Sequence, residues 1–176
     1  MKAFTDILRK KAQERAKALQ SVDKKDPAII LATWFGCGYI FPAPGFWGTL
    51  GSMPLGIALL VIAPKTLLAI VALIIFLIGL WASKVFEKQS KTHDSSMIVI
   101  DETAGILVTL LFASPNAISI TLAFLLFRLF DSAKPWPISW FDKKIEGAFG
   151  VMIDDIIAGI LAGLCLLGLR TYLDVG

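Results

Sequence analysis

The chain has 176 residues, 56% of them hydrophobic, with 17 Lys and Arg against 14 Asp and Glu. A soluble globular domain is roughly 45–50% apolar, so this composition and a mean hydropathy of +0.74 argue against a water-soluble domain. Residues 1–26 hold eight Lys/Arg and four Asp/Glu while the rest hold nine and ten, so the net charge of +3 is an N-terminal feature. It suits an anionic lipid surface and is no sign of nucleic acid.

Taken in order, residues 1–26 form a basic N-terminal unit. Over residues 3–19, Phe4, Ile7, Leu8 and Leu19 stand among Arg9, Lys10, Lys11, Arg15 and Lys17. That pattern predicts an amphipathic helix lying on the membrane face. The stretch lacks the apolar core that a secretory signal needs. Residues 27–176 read as one membrane-embedded domain. Ala28–Phe41 is apolar but short of the ~20 residues a span requires, which predicts a re-entrant or interfacial segment. Phe41 to Ser52 contains Pro42, Pro44, Gly45, Gly48 and Gly51. These predict an irregular loop whose N–H groups, with the hydroxyls of Thr49 and Ser52, can cradle an anion.

Two apolar runs follow, Trp47–Ala63 and Thr66–Val85, joined at Ala63-Pro64-Lys65 as a helical hairpin. Met97–Ala113, Ala117–Phe130 and Ala148–Leu169 complete the set. The fold class is therefore all-α, a polytopic helical membrane protein with about five membrane-embedded helices. Cys37 and Cys165 lie in apolar surroundings and read as packing residues. A single histidine, His93, excludes any mechanism that needs two.

If the basic segment is cytoplasmic and residues 28–52 do not cross, residues 41–52, 84–96 and 131–147 share its side. Of the 17 basic residues, only Lys65 and Arg170 then fall on the far side, as the positive-inside pattern requires. The same topology gathers the charged motifs. Asp101-Glu102 start one span, Arg128, Asp131 and Lys134 end the next, and Asp154-Asp155 lie near the start of the last. Acidic residues in apolar runs cost on the order of 2.5–3.5 kcal/mol each at a helix centre, so two acidic pairs need a partner. A divalent cation shared by Asp101, Glu102, Asp131, Asp154 and Asp155 is one, and Mg²⁺ takes oxygen ligands from carboxylates, water and phosphate. Neighbours on a helix differ by ~100°, which predicts one direct ligand and one supporting or basic carboxylate in each pair. Arg128 and Lys134 suit phosphate oxygens, Arg as a fork and Lys as a point charge. The residues thus point to metal-dependent hydrolysis of a lipid phosphate. A reading from another class, a small ion or proton transporter using intramembrane carboxylates, predicts acids at several depths instead of at one end of each span.

The motifs resemble the phosphatidylglycerophosphatase A family of bacterial membranes over most of residues 33–163. They comprise Pro42-Ala-Pro-Gly45 running to Gly48-Thr-Leu-Gly-Ser52, and Asp101-Glu-Thr-Ala-Gly105. Phe127-Arg-Leu-Phe-Asp131 follows with Lys134-Pro-Trp-Pro-Ile138, and Gly147 to Asp155, continuing through Gly159, closes the set. The resemblance implies Mg²⁺-dependent conversion of phosphatidylglycerophosphate to phosphatidylglycerol at the bacterial inner membrane. It places the acidic and phosphate-facing positions on Asp101, Glu102, Arg128, Asp131, Lys134, Asp154 and Asp155.

Overall fold

A computed structural model describes residues 15–92, 95–145 and 147–173. All regular structure among these residues is helical. The elements are α1 (Pro27–Ala32), a 3-10 turn (Cys37–Tyr39), α2 (Pro44–Ile62), α3 (Lys65–Ser90), α4 (Ile100–Leu110), α5 (Ala117–Ala133), α6 (Ile138–Lys144) and α7 (Gly147–Leu173). Residues 15–21 are helical as well, and the rest of the basic segment predicted over residues 3–19 lies outside the described residues.

Three helices, α2, α3 and α7, are long and apolar enough to cross a bilayer. The stretch predicted as a span over Met97–Ala113 behaves differently. α4 ends after 11 residues, about 16 Å, or roughly half the hydrocarbon depth. Most of its side chains are buried, and it packs against α2, α3, α5 and α7. Its apolar residues meet protein and not lipid, a distinction that hydropathy does not make. α5 has 17 residues, the last of them carrying Arg128 and Asp131.

The loop predicted over residues 41–52 is a further correction, because α2 starts at Pro44 and runs through Gly45, Gly48 and Gly51 without a break. Proline is tolerated in a first helical turn, where its missing N–H would have no partner anyway. The glycines serve close approach between helices. A methyl on Gly48 would lie 2.5 Å from Val99 Cβ, and one on Gly56 2.5 Å from Leu110 Cδ1. Small residues let helices in apolar surroundings pack backbone to backbone, and here they seat α2 on α4. The Ser52 and Thr103 hydroxyls tie the same two helices together at 2.6 Å.

The α4–α7 crossing is closer still. A methyl on Gly159 would collide with the carbonyl of Gly105. The Thr109 hydroxyl lies 3.1 Å from the Gly105 carbonyl and 3.2 Å from that of Gly159. α1 is short, capped by Asp26, whose carboxylate accepts the Ala28 N–H at 2.8 Å. The other Asp26 oxygen accepts from Gln89 Nε2 at 2.6 Å, which fixes α1 to the end of α3. Trp34, Phe35 and Gly36 all have positive φ. This left-handed turn ends the apolar run that opened at Ala28, so that run is not one continuous helix.

Candidate active site

One end of the bundle holds a cavity of about 570 Å³. Each wall follows from the packing just described. The start of α2 supplies Pro44 and Gly45, and the first turn of α4 supplies Asp101 and Glu102. The end of α5 supplies Arg128, Asp131, Ser132 and Lys134, and α7 supplies Asp154 and Asp155. Because Gly105 and Gly159 bring α4 and α7 together, the two acidic pairs face one another a turn or so nearer this end.

Arg128 Nη1 contacts Asp131 Oδ2 at 2.7 Å and lies 3.9 Å from Glu102 Oε1. It also donates to the Thr49 hydroxyl at 3.1 Å. Lys134 Nζ meets Asp154 Oδ2 at 2.6 Å, with only 7% of that aspartate side chain exposed. Lys134 closes α5 in a left-handed conformation, φ 40. Such a backbone costs a non-glycine residue on the order of 1 kcal/mol, and here it sits where the chain turns the ammonium onto α7.

The carboxylates divide by partner. Asp101 Oδ1 accepts the Glu102 N–H, and Asp154 Oδ1 accepts the Asp155 N–H, each at 3.0 Å. Asp131 and Asp154 hold the two cations. Asp101, Glu102 and Asp155 each offer an oxygen, and these atoms all lie within 4.8 Å of one another. Glu102 Oε2 and Asp155 Oδ2 are buried without a hydrogen-bond partner. Three carboxylates held this close repel, and a buried unpaired carboxylate oxygen is costly. A hard divalent cation relieves both, and an all-oxygen donor set fits one. Asp101 and Glu102 both bring an oxygen to this trio, the longer glutamate side chain spanning the ~100° between neighbours.

Seven of the residues singled out from the sequence therefore line one cavity: Asp101, Glu102, Arg128, Asp131, Lys134, Asp154 and Asp155. Thr49 and Ser52 do not. Both are buried on α2, with their hydroxyls donating back to the carbonyls of Gly45 and Gly48 at 2.8 and 2.7 Å. Thr49 reaches the cavity through Arg128, which donates to its hydroxyl, and through the Gly45 carbonyl. Sequence reasoning missed the part of Gly45, where a methyl would collide with Glu102 Oε1 and lie 3.3 Å from Arg128 Nη1. The signal was its place in the Pro-Gly pair beside the motif, but its contribution is an absent side chain. The lining residues Ser95, Ser96 and Ser132 carried no signal at all.

A family model described as Phosphatidylglycerophosphatase A matches residues 30–170. The chain is 37% identical to Phosphatidylglycerophosphatase A of Haemophilus influenzae over 158 residues, covering 88% of this chain and 96% of the relative. It is 36% identical to Phosphatidylglycerophosphatase A of Escherichia coli over 138 residues, covering 78% and 80%. A relative from Bacteroides thetaiotaomicron, 35% identical over 140 residues, carries a provisional phosphatidylinositol-3-phosphatase name. No solved structure matches the chain.

Proposed function

The chain belongs to the phosphatidylglycerophosphatase A family, and on that premise we propose that it hydrolyses the terminal phosphate monoester of phosphatidylglycerophosphate, giving phosphatidylglycerol and phosphate. The observation that carries this reading is the pairing of three clustered carboxylates with two oriented cations in one cavity of an apolar helical bundle. A transporter reading gains no such support, because the charged groups gather at one end of the helices.

Asp101, Glu102 and Asp155 would hold Mg²⁺. When bound, such an ion supplies a Lewis acid for the phosphoryl oxygens. Phosphoryl transfer is otherwise a matter of positioning and charge neutralisation. Arg128 meets the phosphate with the guanidinium nitrogens that Asp131 and Thr49 do not hold. Lys134 adds a point charge that Asp154 keeps in place. Water attacks phosphorus, the bond from phosphorus to the glycerol oxygen breaks, and that oxygen leaves as a hydroxyl after taking a proton. A site carboxylate accepts the proton of the attacking water. We favour water over an aspartate nucleophile because each carboxylate already has a cation to hold.

We place the protein in the bacterial inner membrane with this cavity facing the cytoplasm. Lys84, Lys88 and Lys91 lie at its end of the bundle and Lys65 and Arg170 at the other, which fits the positive-inside bias. The test is phosphate release by the purified protein in detergent micelles. Phosphatidylglycerophosphate is expected to be turned over and phosphatidic acid and phosphatidylinositol 3-phosphate to be poor substrates. A preference for either of the latter would reassign the substrate.

A further inference from the structure

A phosphate group and one cation fill a small part of the cavity. Its volume of about 570 Å³ has room for roughly twenty waters at ~30 Å³ each. The remaining space has room for a further portion of the ligand, and the lining indicates which kind. Besides its charged groups, the cavity is bordered by three serines. Ser95 and Ser96 come from the α3–α4 connection, and Ser132 lies on α5 between Asp131 and Lys134. Ser95 Oγ is placed on the Met97 N–H at 3.4 Å, where it supports the turn into α4. Ser96 and Ser132 are exposed.

We propose, resting on the phosphatase reading above, that Ser96 and Ser132 recognise the free hydroxyl of a glycerol that carries the scissile phosphate. They thereby favour a lipid whose phosphate sits on a polyol spacer over one whose phosphate is joined directly to diacylglycerol. A serine hydroxyl both donates and accepts, as the spacer hydroxyl does. The carboxylates and cations are committed to ion and phosphate, and charge attracts any phosphate monoester alike. Neutral hydroxyl pairs supply the discrimination that charge lacks. Because both serines are exposed, a lipid without the hydroxyl leaves them to water and not to a dry gap. The preference is therefore modest, about three- to tenfold.

The experiment compares kcat/KM for phosphatidylglycerophosphate and for its analogue with hydrogen in place of the head-glycerol hydroxyl. Both are assayed with the full chain and with the Ser96→Ala/Ser132→Ala variant. The unaltered protein is expected to prefer the hydroxyl-bearing lipid about three- to tenfold, mostly through KM. The alanine variant is expected to lose that preference, while Ser96→Thr/Ser132→Thr, which keeps a hydroxyl at each place, retains it. No preference in the unaltered protein, or a preference that survives both alanines, overturns the assignment. Failure of the unaltered protein to release phosphate from either lipid would instead overturn the phosphatase reading itself.

Discussion

Arg128 enters a cavity that already holds five carboxylates, and its partners decide its part there. Asp131 and Thr49 fix one guanidinium nitrogen, so the fork is oriented before any substrate arrives. Arg128→Lys keeps the charge and loses the fork; KM for the lipid phosphate is expected to rise about tenfold. Unchanged kcat and KM would reduce Arg128 to a membrane-surface charge. The carboxylates separate in the same way. Asp155→Asn and Glu102→Gln remove oxygens from the cluster that suits a metal ion, and kcat is expected to fall more than ~100-fold in protein that still folds. Asp131→Asn frees the guanidinium without touching that cluster, so its loss is expected to be smaller, ~10–100-fold. Equal losses in all three variants, measured as phosphate release, would contradict this division of roles. These charged residues were readable from the sequence because charge in an apolar run is expensive and demands a reason. Proline and glycine around Thr49 and Ser52 predict a turn, whereas the glycines serve helix contact and both hydroxyls are buried on α2.

Glycine does its work between elements. α4 is too short to span, yet it carries two site carboxylates and is surrounded by four helices. Its depth and rotation are set by the close approach of Gly48 and Gly56 on α2 and of Gly159 on α7, where a methyl at Gly159 would meet the Gly105 backbone. Gly159→Ala forces the α4–α7 crossing apart, and a loss of about 1–3 kcal/mol is expected, read as lower thermal stability in detergent. Activity should fall with it, since Asp101 and Asp155 separate. Full stability and full activity in this variant would mean that the crossing does not position the site. The hairpin of α2 and α3 and the long α7 were visible as apolar runs with a Pro-Lys turn or a charged start. α4 was not told from a span, because burial in protein and burial in lipid select the same residues.

At the scale of the whole molecule, the fold brings acidic pairs from two helices and cations from a third to one end of an apolar bundle. Charge near the membrane surface is cheaper than charge at its centre, and on the proposed function that end is where a lipid headgroup would sit. Single cysteines introduced at Lys65, the first residue of α3, and in the α5–α6 connection at Trp136 are expected to react with an impermeant thiol reagent from opposite sides of the membrane, against a background in which Cys37 and Cys165 are replaced. Labelling from the same side would break the arrangement of α2, α3 and α5 described above. On the proposed function, the clustered carboxylates act through a divalent cation on a lipid phosphate. Phosphate release from phosphatidylglycerophosphate by the purified protein, with Mg²⁺ and then with EDTA, tests it most directly. Turnover that EDTA abolishes and Mg²⁺ restores is expected; turnover that continues unchanged in EDTA would leave Asp101, Glu102 and Asp155 needing another role.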